Sequence, residues 1–88
     1  MRIETSKGGM FEADLVIPIQ SDRSLMIRLQ DPRRRALSGI AADFEGLTGV
    51  TCEDGRTYTE YTDLRIVSRL SEETVQLRLY KEGLTNGS

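Results

Sequence analysis

The sequence predicts a mainly β domain, a small antiparallel barrel or two-layer sandwich of six to seven strands, with one short helix at about residues 32–45. Three observations predict it. Apolar and polar residues alternate in short runs separated by turn formers at a spacing of about ten residues. Glu53-Asp54-Gly55-Arg56 is a tight-turn signature that leads into two such runs, Thr62 to Leu70 and Thr74 to Tyr80. Midway along the chain the period becomes helical, with Leu37, Ile40, Ala41 and Phe44 falling on one face.

Met1 to Ser6 reads as a first strand, and Lys7-Gly8-Gly9 can supply the positive φ angles of a hairpin turn. In the return strand Phe11, Ala13, Leu15, Ile17 and Ile19 occupy alternate positions, which predicts that they share the buried face. Pro18 lacks an amide donor and places this part of the strand at a sheet edge or bulge. After a turn at Ser21-Asp22-Arg23, Leu25, Ile27 and Leu29 alternate with Met26, Arg28 and Gln30 in a third strand. Asp31-Pro32 then reads as a helix start, with aspartate as the cap and proline already set to the helical φ. Gly46 is its stop. Three arginines in that first turn oppose the helix dipole, a local cost that contact with a partner would offset.

The β pattern resumes from Leu47, with Val50 and Cys52 on one side, and Arg56 to Tyr61 pairs back after Asp54-Gly55. The next run sets Leu64 and Ile66 on one face and Arg65, Val67 and Arg69 on the other. Ser71-Glu72-Glu73 turns into the last strand, where Val75, Leu77 and Leu79 face inward. The organisation expected is a single domain over 1–82 with a mobile tail at 83–88. The helix is expected to plug one open end of the barrel or to cover one sheet.

Composition restricts the chemistry. The 88 residues suit one domain with a small core, and the 38% apolar and 30% charged content is that of an ordinary globular protein. The longest apolar run, Leu15 to Ile19, is too short to cross a bilayer, and the first residues carry an acid and no apolar core of a secretory signal. A cytoplasmic location is therefore expected. With no histidine and the single cysteine Cys52, the usual zinc, redox and general acid–base ligands are missing. We expect no enzyme, no metal, no cofactor and no small-molecule substrate.

Several residues could nevertheless carry chemistry. Asp43, Glu45, Glu53 and Asp54 could form a carboxylate cluster, but no calcium-loop spacing is present, and each has an ordinary place at a helix end or turn. Gly8-Gly9 lacks the surroundings of a phosphate loop. Cys52, two positions from an inward Val50, reads as an inert buried thiol. Net charge is −2, and residues 1–35 carry seven basic and five acidic side chains against five and nine in the remainder. Nucleic acid is thus disfavoured as a partner, with Arg33, Arg34 and Arg35 as its main support, alongside Tyr58, Tyr61 and Tyr80 as stacking groups. Val16, Met26, Val67 and Tyr80 are apolar residues at outward positions of four strands, where they could form a patch for self-association or for the helix.

The Glu53-Asp54-Gly55 turn, the following Thr57-Tyr58-Thr59-Glu60-Tyr61-Thr62 and the closing Val75-Gln76-Leu77-Arg78-Leu79-Tyr80-Lys81-Glu82 also carry a resemblance. With Phe11-Glu12-Ala13-Asp14 and a segment ending at Phe44 in the first half, the chain resembles small uncharacterised proteins encoded in prophages of Firmicutes near structural genes. The likeness covers most of the chain as a pattern of spacing. It departs at the three arginines and at Ser71-Glu72-Glu73-Thr74, where a glycine is missing. It implies a virion or assembly component, tail-associated in its narrowest form, and assigns no residue a role.

The expectation is therefore a non-enzymatic component acting by protein–protein contact or self-association. Its candidate contacts are Arg33, Arg34 and Arg35, with Val16, Met26, Val67 and Tyr80. The alternatives are a nucleic-acid-binding barrel using the arginines and tyrosines, or a regulatory domain acting on a host protein.

Overall fold

Lys7-Gly8-Gly9 reverses the chain because Gly8 adopts φ +88°, a conformation that side chains disfavour. The Thr5 amide donates to the Gly9 carbonyl at 2.8 Å, and the Gly8 amide donates to the Thr5 carbonyl at 2.9 Å. At Gly9 the constraint is space: a Cβ there would lie 3.0 Å from the Phe11 ring and crowd it. Gly55, at φ +97°, makes the second tight turn as expected. The computed structural model describes residues 1–46 and 49–81, so the expected tail at 83–88 lies outside the described residues.

Between these turns the alternating runs form β1 (Arg2–Thr5), β2 (Met10–Ile19), β3 (Ser24–Gln30), β4 (Val50–Cys52), β5 (Thr57–Tyr58), β6 (Tyr61–Arg69) and β7 (Thr74–Lys81), with α1 at Leu37–Phe44. All seven strands belong to one antiparallel sheet of order β5-β4-β1-β2-β3-β7-β6. The two edge strands, β5 and β6, are consecutive in sequence and joined only by Thr59-Glu60. The outer strands of a flat sheet of this size would be about 29 Å apart. The link from Tyr58 to Tyr61 can reach at most about 11 Å. The sheet must roll until its edges meet at this corner, where the rings of Tyr58 and Tyr61 lie 6.1 Å apart. The result is barrel-like, with Ile3, Leu25, Ile27, Leu29, Leu77 and Leu79 fully buried inside.

The inward face differs from simple alternation in two strands. In β2, Ala13 pairs with Leu29 but Leu15 pairs with Arg28, so Asp14 is an extra residue that bulges out of the ladder. A bulge of one residue reverses which side chains point inward beyond it. Val16, expected outward, is consequently 2% exposed opposite Ile27, while Ile17, expected inward, is 40% exposed. Leu15 and Ile19 also move to the outer face with Ile17. In β6 the register shifts between Leu64 and Ile66, where Arg65 is the extra residue. Leu64 and Val67 therefore both pack against the core, and Ile66 becomes the exposed member. Pro18 sits where β2 has run past β1 and pairs only with β3, so its missing donor leaves no ladder bond unmade. The carbonyl of neighbouring Val16 instead accepts a 3.2 Å bond from the Arg56 guanidinium.

The helix is shorter than expected. It begins at Leu37, with Ala36 as an extended cap that makes no side-chain bond. Asp31-Pro32 instead opens a turn in which the Arg34 amide donates to the Asp31 carbonyl, and Arg34 at φ +53° cannot continue into a helix. Arg33, Arg34 and Arg35 thus precede the helix and do not oppose its dipole as the sequence suggested. At the other end Gly46, at φ +67°, stops it as expected. Lys7 Nζ donates to the Ala42 and Glu45 carbonyls at 2.9 and 3.1 Å, placing a cation where the helix dipole favours it. Ile40 and Phe44 are fully buried, and the Phe44 ring lies 4.9 Å from Phe11. Each such side chain contributes about 2 kcal/mol by leaving water. Through them α1 is held against the end of the rolled sheet near Phe11 and β6.

The bulge at Asp14 makes a prediction that simple alternation reverses. Val16→Asp should cost more than about 4 kcal/mol, as an unpaired buried charge, whereas Ile17→Asp should stay within about 1 kcal/mol. Urea denaturation of the two variants measures both. Equal losses, or the opposite order, would show that the register beyond Asp14 is wrong.

Candidate interaction surface

The bulges in β2 and β6 create an outer face that the sequence alone did not disclose. Across β2, β3, β7 and β6 the register sets Ile17, Met26, Arg78 and Ile66 in one row. Beside it lies the row Leu15, Arg28, Gln76 and Ser68. On the other flank are Ile19, Ser24, Tyr80 and Asp63. Of the expected patch, Met26 and Tyr80 lie on this face. Val16 and Val67 are replaced by their neighbours Ile17 and Ile66, for the register reason given above. The one signal in the sequence was the apolar pairs Val16-Ile17 and Ile66-Val67, at which alternation does not decide which residue faces inward.

The charges on this face are unevenly matched. Asp22 accepts from the Ser24 hydroxyl at 2.6 Å, from Arg78 Nη1 at 3.1 Å and from the Tyr80 hydroxyl at 3.4 Å. The Ser24 bond, with Arg78 and Tyr80 behind it, holds the Asp22 carboxyl below the usual range despite partial desolvation. Arg65 pairs with Asp63 at 2.8 Å and lies 5.2 Å over the Tyr80 ring. The Arg28 side chain has no hydrogen bond or ion pair among the described residues, and its Nε is shielded from solvent with no acceptor. Arg78 Nε is shielded in the same way. A donor desolvated without an acceptor costs about 1–3 kcal/mol.

The arginine corner is largely committed within the chain. Asp31, at 2% exposure, accepts the Arg35 amide at 2.8 Å, Arg35 Nε at 3.2 Å and Arg69 Nη2 at 3.3 Å. Arg35 also lies 5.2 Å over the Phe11 ring, and Arg69 bonds the Arg35 carbonyl at 2.6 Å. Arg34 pairs with Glu72 across exposed surface, an interaction worth little. Arg33 alone of the three is exposed with no partner among the described residues. The corner therefore closes the fold more than it presents a cationic patch.

The remaining candidates are dispersed. Tyr58 and Tyr61 pack against the core, away from the outward Tyr80, so the three tyrosines do not form one stacking platform. Burial pushes the Cys52 thiol up, against the pull of Arg56, as suits an inert buried cysteine. Asp43 lies 3.9 Å from Arg35, Glu53 bonds the Arg2 amide, and Asp54 pairs with Arg56 at 2.9 Å. Among the described residues no three metal-ligating side chains come together. A groove of about 410 Å³ lined by Pro18, Ile19, Gln20, Arg23, Tyr61 and Lys81 holds no carboxylate or thiol. No described helix is long and apolar enough to cross a membrane. No protein-family model, curated protein or solved structure matches this chain.

The Asp31 node carries a pH prediction. Burial raises the Asp31 carboxyl, but its bonds to Arg35 and Arg69 outweigh this and leave it below the ordinary aspartate value. A carboxyl depressed in the folded state stabilises the protein above its unfolded value, about 3.9, and loses that contribution as pH falls through the folded value. Asp31→Asn should cost about 3 kcal/mol at neutral pH and flatten the decline of stability between about pH 5 and 2. Denaturant curves at several pH values test this, and an unchanged acid slope would remove Asp31 from the account.

Proposed function

We propose that this chain is a non-enzymatic protein-contact module whose working surface is the outer face of β2, β3, β7 and β6. The observation that carries this reading is the combination of exposed Ile17 and Ile66 with Arg28, a partly shielded guanidinium that has no partner of its own. Arginine is enriched in binding hot spots, and apolar neighbours exclude water around it while the guanidinium supplies direction. The resemblance to prophage-encoded proteins supports a narrower form of the proposal, a tail-associated assembly component of a phage-derived structural module. In that form it works inside the host cell or within the virion.

The test is co-elution of the purified chain with each purified protein encoded beside it. Ile17→Asp with Ile66→Asp should weaken the complex by at least about tenfold, and Arg33→Glu by less than about twofold. If the double variant bound every partner as well as the parent, the assignment of this face would be lost. Binding to single-stranded DNA that fell steeply with salt would favour the nucleic-acid alternative instead.

A further inference from the structure

The helix covers one end of the rolled sheet, beside the last residues of β3 and β6. The opposite end is formed where β2 and β7 finish and β3 and β6 begin, with Ile19 in register with Ser24, Ser24 with Tyr80, and Tyr61 with Lys81. The groove of about 410 Å³ between Pro18, Ile19, Gln20, Arg23, Tyr61 and Lys81 opens at this mouth. Small-molecule sites are common in barrel mouths and at volumes of this order. Its lining is of two kinds: Pro18, Ile19 and Tyr61 offer apolar surface, and Arg23 and Lys81 are cations.

The charges at the mouth do not balance. Lys81 lies 5.5 Å over the Tyr61 ring and pairs with Glu60 at 2.9 Å. The Glu60 side chain is 67% exposed, so water and salt compete for that pair. Asp22 is taken up by Ser24, Arg78 and Tyr80, and Asp63 by Arg65. The Arg23 side chain is left with no hydrogen bond or ion pair among the described residues. Its carbonyl accepts from the Lys81 amide at 3.4 Å, which fixes the two residues side by side. The bond to Glu60 raises the Lys81 ammonium while the Arg23 charge works against it, so the two cations are near enough to repel. Arg23 also holds φ +56°, which glycine would adopt with less strain. A turn that glycine would make more easily thus carries a cation with nothing to pair with, aimed at a groove that already holds another.

We propose that this mouth binds a small organic carboxylate, its oxygens held by the Arg23 guanidinium and the Lys81 ammonium and its apolar body lying against Pro18, Ile19 and Tyr61. Arginine suits the carboxylate because its planar fork donates two parallel bonds. The apolar lining selects such a ligand over a bare inorganic anion, which has no surface to bury there. The groove adjoins the outer face at Ile19, but its ligand is a small molecule and the proposal stands without the contact reading of that face.

Titration of the isotope-labelled full chain with benzoate, followed by the NMR shifts of its amides, tests this. Benzoate should shift the Gln20, Arg23, Tyr61 and Lys81 amides saturably at millimolar concentration. Benzamide, which keeps the ring and lacks the charge, should bind at least about tenfold more weakly, and inorganic phosphate likewise. Arg23→Gly suits the positive φ, so it should keep or raise the thermal unfolding midpoint while weakening benzoate at least about tenfold. Lys81→Gln should weaken benzoate as well, and it leaves the turn untouched. The proposal is overturned by the absence of a saturable shift, by benzamide binding as well as benzoate, or by a folded Arg23→Gly or Lys81→Gln chain that binds like the parent. Equal shifts from phosphate would mean an adventitious ion only and would overturn it too.

Discussion

The two-residue link between β5 and β6 is the constraint on which the rest of the structure depends. These strands occupy opposite edges of the sheet, yet Thr59-Glu60 is too short to span a flat one, so the sheet has to roll. Rolling gives every strand an inside and an outside. The inside collects Ile3, Leu25, Ile27, Leu29, Val75, Leu77 and Leu79 into one core. It also leaves the short strands β1, β4 and β5 on one side of the molecule and the long ones on another. The bulges in β2 and β6 belong to the same geometry, because an extra residue bends a strand and increases its twist where a flat ladder would resist closure.

The rolled sheet leaves an end to be covered, and Asp31 governs how that is done. It stands just after β3, receives Arg35 from the segment that leads to α1, and receives Arg69 from the end of β6. One buried carboxylate thereby ties three parts of the chain together at the end where Phe11 and Phe44 stack. A buried ion pair is seldom a large net source of stability, since desolvation offsets much of the attraction. What it does supply is direction. A carboxylate that must satisfy two guanidiniums allows the segment between β3 and α1 few alternative paths.

The proposed function rests on what closure leaves outside. A residue displaced by a bulge from the core to the surface exposes aliphatic area, which is unfavourable in an isolated chain and useful in a complex. Ile17 and Ile66 are both such residues, and they flank the same pair of central strands. Arg28 between those strands is too far from Asp22 and Asp63 to share their pairing with Arg78 and Arg65. Among the described residues the charges of this surface are few and mostly matched. Directional contact with a folded surface of complementary charge is the use proposed for it.

The sequence by itself determined the class of fold, the two glycine turns and the helix stop at Gly46. These are local properties: alternation with period two makes strands, and a positive φ is cheapest at glycine. It also determined the identity of most core residues, such as Leu25, Ile27, Leu77 and Leu79, where apolar and polar positions contrast at every step. It did not determine the inward face wherever two apolar residues adjoin, at Val16-Ile17 and Ile66-Val67, because either parity satisfies the pattern. Asp31 read as a helix cap, which it is not, and its role as acceptor of Arg35 and Arg69 was not legible, since Arg69 comes from a strand distant in sequence. Only the tertiary structure decided these points. Register is chosen by the whole ladder and by closure of the sheet, and a one-residue bulge costs little locally while reversing every side chain beyond it.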